Sequence, residues 1–248
     1  MLALPGKAAA FDEGVMQLSF PLDDDPILAR IRVLLLSIYG SQRDSSRIDP
    51  TSLFVYAMIS GRTYDGVSST AFVKLCYLLA SWDELPDADI DAVARAIADV
   101  TFAAEKAEHL VLAARIIRAQ RGRFDLSFLA EWSFDDAYAW LTSLPGAGPK
   151  VAAATLNFSE LRKPALVVDT HVLRTTKRIG ILPERADYAL GFKGLTRLVP
   201  NDWDADDLYE LHWLMKKLGQ SLCTFRRPAC ERCPLCDLCA HARRTKLH

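Results

Sequence analysis

Five of the chain's six cysteines crowd into one closing stretch, CTFRRPACERCPLCDLC over residues 223–239, while the preceding 222 residues hold only Cys76. Thiols packed so densely cannot all be spread through a hydrophobic core. In a reducing compartment they do not close into disulfides either, so the end of this chain is constrained to wrap around a metal. Spacing alone leaves two candidates open. Four thiolates at such intervals satisfy a tetrahedral zinc site or an iron-sulfur cluster equally well.

The remainder must fold around its own core. At 248 residues, half of them hydrophobic, the chain suffices for one large domain or two modest ones. Its first residues, MLALPGKAAAFDEG, form too short an apolar run for a signal peptide, and no stretch approaches the roughly 18 apolar residues of a membrane span. A soluble, cytoplasmic protein is expected. The net charge of -1 is unevenly divided: residues 1–110 carry 9 basic and 16 acidic side chains, residues 111–248 carry 21 and 15. A polyanion such as nucleic acid would meet the later half, although chance clustering on solvated faces gives the same totals.

Helical periodicity dominates. ILARIRVLLLSIYG runs from Pro26 to a stop at Gly40, SLFVYAMIS reads as a mostly buried helix, and AEKAEHLVLAARIIRAQRG is amphipathic with Gly122 placed to end it. The one strand-like run, ALVVD at 165–169, is too short to build a sheet upon, and the fold class expected is all-α. Residues 1–25, with PLDDDP, read as an N-terminal extension of little structure. Cys76, in AFVKLCYLLA, is expected as a small buried side chain.

In LTSLPGAGPKVAAATL a helix ends in a turn and another begins. Gly146 and Gly148 free the turn's amides to point outward, Pro149 suits a first helical position, and amides exposed at a helix N-terminus bind phosphate. An ordinary helix-helix turn would carry the same residues. Lys150 falls in the first helical turn, where the helix dipole and partial burial disfavour its ammonium form. It is either a nucleophilic amine or a plain phosphate contact. Nineteen residues on, Asp169 in VVDTHVLR is placed as an N-cap, and a carboxylate beside such an amine can also do chemistry.

Together, LPGAGPKVA, VVDTHVLR and the cysteine spacing resemble the endonuclease III family of helix-hairpin-helix DNA glycosylases, over about residues 27 to 240. Leu144, Pro145, Gly146, Gly148 and Lys150 match its hairpin; Val168, Asp169, Thr170 and His171 match its VDTH segment. Its C-x6-C-x2-C-x5-C pattern falls on Cys223, Cys230, Cys233 and Cys239 and leaves Cys236 spare. The resemblance implies a 4Fe-4S cluster on those four cysteines, with Arg226 and Arg227 on the pinned loop between the first two meeting DNA phosphates. It further implies two helical domains flanking a DNA-binding cleft. One is a six-helix barrel with the hairpin over residues 50–163; the other is a discontinuous cluster domain of 26–49 plus 164–248.

The activity implied is base excision repair by a monomeric, bifunctional DNA glycosylase/AP lyase, acting in the nucleoid on double-stranded DNA with a damaged base or abasic site. Lys150 would be the nucleophile and Asp169 its electrostatic partner, with damaged pyrimidines as the substrate. Two departures touch recognition. Arg62 stands where the family has a glutamine that fills the gap left by an extruded base, and Phe102 where it has a wedge leucine, a position that core packing would equally explain. A monofunctional glycosylase of the adenine-mismatch type lacks the hairpin lysine; a noncatalytic iron-sulfur DNA binder leaves Lys150 and Asp169 unexplained.

Overall fold

Asp49 and Pro50 begin the helix around which the first half of the protein is built. In the computed structural model, which describes residues 26–246, the Asp49 carboxylate accepts from the Ser52 amide at 2.8 Å and Pro50 takes the first position of α2 (Pro50–Ser60). The extension expected over residues 1–25 lies outside the described residues. Ahead of α2, α1 (Ile27–Tyr39) buries Leu28, Ile31 and Leu35 on one stripe and stops at Gly40, in the left-handed region at φ +66°. Because α2 is apolar nearly all round, it must be covered on every side.

The cover is α3 (Asp65–Leu78), α4 (Ile90–Ala96), α5 (Ala103–Arg121), α6 (Phe134–Thr142) and α7 (Pro149–Phe158), which share one core with α2. On α5 the buried residues Ala107, Leu110, Val111, Ala114 and Ile117 follow the helical repeat, and Gly122 closes it at φ +83°. On α3 the buried face is Ser68, Ala71 and Leu75. Cys76, one residue past Leu75, is turned about a quarter-turn off that face and is exposed, contrary to the burial expected from its apolar neighbours.

A second core joins α1 to α8 (Thr170–Ile179), α9 (Tyr188–Thr196), α10 (Ala205–Ser221) and α11 (Ala240–Lys246). Arg32 of α1 donates to the buried Glu210 of α10 at 2.9 Å, and Ser41 donates to the other carboxylate oxygen at 2.6 Å. A buried charge is tolerable only when paired and hydrogen-bonded in this way.

Among the described residues there is no strand, as the sequence led one to expect, and ALVV shows what its alternation serves instead. It runs between the two cores, with Ala165 and Val167 in the first and Leu166 and Val168 in the second. Period-two alternation here divides one segment between two hydrophobic interiors. Phe192 of α9 adds another link, stacking on Tyr138 of α6 at 4.6 Å between centroids. No helix among the described residues is long and apolar enough to cross a membrane.

The hairpin between α6 and α7 is pressed close to the first core. Gly146 sits at φ +73°, and a Cβ there would come within 2.8 Å of His109 Cβ and 2.9 Å of Met58. Gly148 has negative φ and open space around it. Gly146→Ala should therefore cost about 1–3 kcal/mol of unfolding free energy, while Gly148→Ala should stay within about 0.5 kcal/mol. Denaturant titration of the two variants separates strain from mere loss of flexibility; equal costs would contradict the tight fit at Gly146.

Candidate active site

Asp169 and Lys150 occupy the starts of two helices from different cores. Asp169 caps α8: one carboxylate oxygen accepts from the amides of His171 and Val172, both at 2.8 Å. Lys150 is the second residue of α7, a helix whose N-terminus has no side-chain cap, in contrast to the Asp- and Ser-capped α2, α6, α8, α9 and α10. The amides at the start of α7, beside the exposed Gly146 and Gly148, are thus left for another partner.

The Lys150 ammonium is disfavoured. Burial pushes the amine down to about 8, Asp169 opposes that shift, and the positive charges of Lys216 and Lys106 reinforce it. Its Nζ donates to Ser60 Oγ at 2.7 Å. Burial works against the Asp169 carboxylate too, but His212, the Val172 amide, His171 and Lys216 outweigh it, so its carboxyl stays below the usual range. His212 is itself pushed down to about 4 by burial. With its Nδ1 2.8 Å from Val167 O, it is a neutral ring near pH 7.

Two further lysines surround this pair, and nothing in the sequence marked them, since each falls in a helix where it could equally be solvated. Lys106 of α5 donates to the carbonyls of Ile59 (2.7 Å) and Gly61 (2.6 Å), and burial together with the Arg62 charge pushes it down to about 8. Lys216 of α10 pairs with Asp65 of α3 at 2.8 Å, and Gln220 donates to the other Asp65 oxygen at 3.2 Å. This clasp ties the first core to the second.

Arg62 and Phe102, separated by 40 residues of chain, stand side by side. Both have left-handed backbones, φ +57° and +60°, which cost a non-glycine residue free energy and persist only where surroundings impose them. The imposing bonds are present: Thr101 donates its hydroxyl to Arg62 O at 2.9 Å and its amide to Thr63 Oγ1 at 3.1 Å. The Arg62 guanidinium lies 5.8 Å from the Phe102 ring centroid, and Phe102 is 54% exposed, so it is not a core residue.

At the other end of α8, Cys223, Cys230, Cys233, Cys236 and Cys239 line one cavity with Arg178. Among the described residues no three Cys, His, Asp or Glu side chains are arranged to hold a single metal ion. Ligands of a polynuclear iron-sulfur cluster bind different irons and need not meet at one point, so these thiols fit such a group. Burial, with the neighbouring thiols adding to it, pushes Cys233 up to about 11; thiolates there require a cationic centre. Arg178 donates to the carbonyls of Thr224 (2.6 Å) and Phe225 (2.8 Å), and Arg174 to those of Cys223 (3.0 Å) and Gly219 (2.7 Å). Arg226 and Arg227 are exposed on the loop so held.

Because Asn can replace Asp as an N-cap acceptor, Asp169→Asn should preserve stability to within about 0.5 kcal/mol, whereas Asp169→Ala should lose about 1 kcal/mol. Urea denaturation tests this; a large loss in Asp169→Asn would mean that the negative charge itself holds the two cores together.

Comparison with known proteins identifies the family. The HhH-GPD superfamily base excision DNA repair protein family matches residues 55–200. The chain is 30% identical over 207 residues to endonuclease III of Thermotoga maritima, covering 82% of this chain and 88% of that one. It is 29% identical over 188 residues to endonuclease III-like protein 1 of Gallus gallus, covering 75% of this chain but only 62% of the relative's length. The fold superposes with a TM-score of 0.70 on a trapped endonuclease III–DNA covalent intermediate, at 19% identity and covering 88% of this chain and 98% of that one. The chain belongs to the endonuclease III family of DNA glycosylases, within the HhH-GPD superfamily of base excision repair proteins.

Proposed function

We propose that the protein is a bifunctional DNA glycosylase/AP lyase in which Lys150 is the nucleophile and Asp169 its electrostatic partner. The observation that carries this reading is an amine in the first turn of the hairpin helix, hydrogen-bonded to Ser60 and set among two carboxylates and two other lysines, with burial holding it below the usual lysine range. The substrate is double-stranded DNA with a damaged base, by family precedent a pyrimidine, or an abasic site. A base within a duplex is out of reach, so the nucleotide is first extruded into the cleft.

Lys150 Nζ then attacks the anomeric carbon; the bond to the base breaks and the base leaves with a proton. Opening of the sugar gives a cationic imine between Nζ and that carbon. Loss of a proton from the adjacent carbon expels the 3′ phosphate, and water finally releases the lysine. Asp169 faces the positive charge that develops on the sugar and stabilises it. The hairpin amides around Gly146 and Gly148, with Arg226 and Arg227, hold phosphates. Arg62 fills the gap left by the base, and Phe102 wedges against the opposite strand.

Cys223, Cys230, Cys233 and Cys239 would hold a 4Fe-4S cluster, which when bound pins the loop carrying the two arginines at both ends. Cys239→Ser should therefore lower iron content and visible absorbance of the purified protein, and Cys236→Ser should leave both near wild type. The reverse pattern would exchange the fourth ligand.

Borohydride trapping on a duplex with an abasic site tests the lysine directly: wild type gives a covalent adduct and Lys150→Ala gives none. The trapping rate should rise with pH up to about 8, as the amine loses its proton, and then level. Lys216→Met removes a charge that opposes protonation of Lys150, so its profile should shift to higher pH. Wild-type protein that never traps would favour a monofunctional glycosylase.

A further inference from the structure

Three lysines from three helices converge on the short junction between α2 and α3. Lys106 holds the carbonyls of Ile59 and Gly61, Lys216 holds Asp65, and Lys150 holds the Ser60 hydroxyl. Carbonyls and an ionised carboxylate can only accept. A hydroxyl could play either part, but Ala57 O, 3.2 Å away and one turn back in α2, is an acceptor for the Ser60 proton. With its proton turned there, Ser60 offers Lys150 its lone pairs.

The consequence is stereochemical. A neutral amine has two N–H bonds and one lone pair, and only the lone pair can attack. With one N–H directed at Ser60, rotation about the Cε–Nζ bond is restricted and the lone pair points elsewhere. We propose that Ser60 is a positioning residue for the Lys150 amine, accepting one of its N–H bonds and so leaving its lone pair directed into the cleft. This rests on the reading of Lys150 as the nucleophile. Ser60 also lies between the two carbonyls held by Lys106 and two residues before Arg62. The acceptor that orients the amine thus belongs to the same strapped segment as the residue proposed to enter the DNA stack.

The charged groups facing Lys150 are Asp169 at the start of α8, Asp65 on α3, Lys106 on α5 and Lys216 on α10, two of each sign, and the titratable ring of His212 on α10 also interacts with it. Against so balanced a field, one neutral hydrogen bond has leverage. An acceptor stabilises an ammonium N–H more than an amine N–H, so removing it should ease deprotonation while loosening the amine's orientation. Ser60→Ala should therefore shift the pH profile of attack downward and lower its plateau, a combination that simple unfolding or weaker DNA binding does not produce.

The test is single-turnover borohydride trapping of the full chain, with its cluster, on an abasic-site duplex from about pH 6 to about pH 10. Duplex affinity and thermal melting are measured alongside. Ser60→Ala is expected to lose about tenfold or more in plateau rate, with a lower midpoint and unchanged affinity. Ser60→Thr, which keeps the hydroxyl, should recover most of the rate. A wild-type plateau and midpoint in Ser60→Ala overturn the proposal, as does a rate loss matched by lost affinity with no shift in midpoint. Absence of any adduct from wild type overturns the nucleophile reading, and this inference with it.

Discussion

The proposed chemistry depends on keeping one lysine amine out of water without letting a neighbouring carboxylate restore its charge. Burial lowers Lys150, and Asp169 pulls it back; by themselves the two would tend to settle into an inert ion pair. Here the carboxylate is engaged by two backbone amides at the start of α8, and Lys106 and Lys216 add positive charge on the lysine's side. Neither helix could arrange this alone. It takes α7 from one core and α8 and α10 from the other to surround the amine.

Because the two cores meet at this amine, the contacts that join them also set its environment. ALVV places alternate side chains in each core and ends at Asp169, so the carboxylate sits where the division of the chain is most sharply defined. The Asp65–Lys216–Gln220 clasp closes the same interface from the other side. Helix α8 then acts as a beam: Asp169 caps its start, while Arg174 and Arg178, one and two turns further along, hold the carbonyls of the cysteine loop. The loop proposed to grip phosphate and the carboxylate proposed to meet the sugar are thus attached to one rigid element.

On the opposite wall, the junction from Ile59 to Asp65 combines strain with restraint. Arg62 and Phe102 adopt left-handed backbones that a non-glycine residue resists, and bonds from Thr101 and Lys106 maintain them. Side chains that must enter a base stack lose less freedom on binding if the backbone beneath them is already fixed. The same restraint reaches Ser60 and, through it, the Lys150 amine.

Much of this was legible in the sequence wherever local rules act. Helical periodicity, the glycine stops at Gly40 and Gly122, Pro149 at a first helical position and Asp169 as a cap follow from backbone sterics and hydrogen-bond geometry over a few residues, and the structure has each of them. The resemblance carried by the hairpin, VDTH and cysteine motifs was equally visible, because those residues lie close together in the chain. Cys76 was misjudged because an apolar neighbourhood in sequence does not say which way a helix face turns. Lys106, Lys216 and Ser60 gave no signal at all, for a lysine in an amphipathic helix looks the same whether it meets water or a carbonyl. What the sequence by itself determined was the all-helical class, several of the helices with the cap at Asp169, and the family. Which charges surround Lys150, and which acceptor orients it, only the tertiary structure decided, since electrostatics and hydrogen bonds act through space between residues as far apart as Ser60, Lys150 and Lys216.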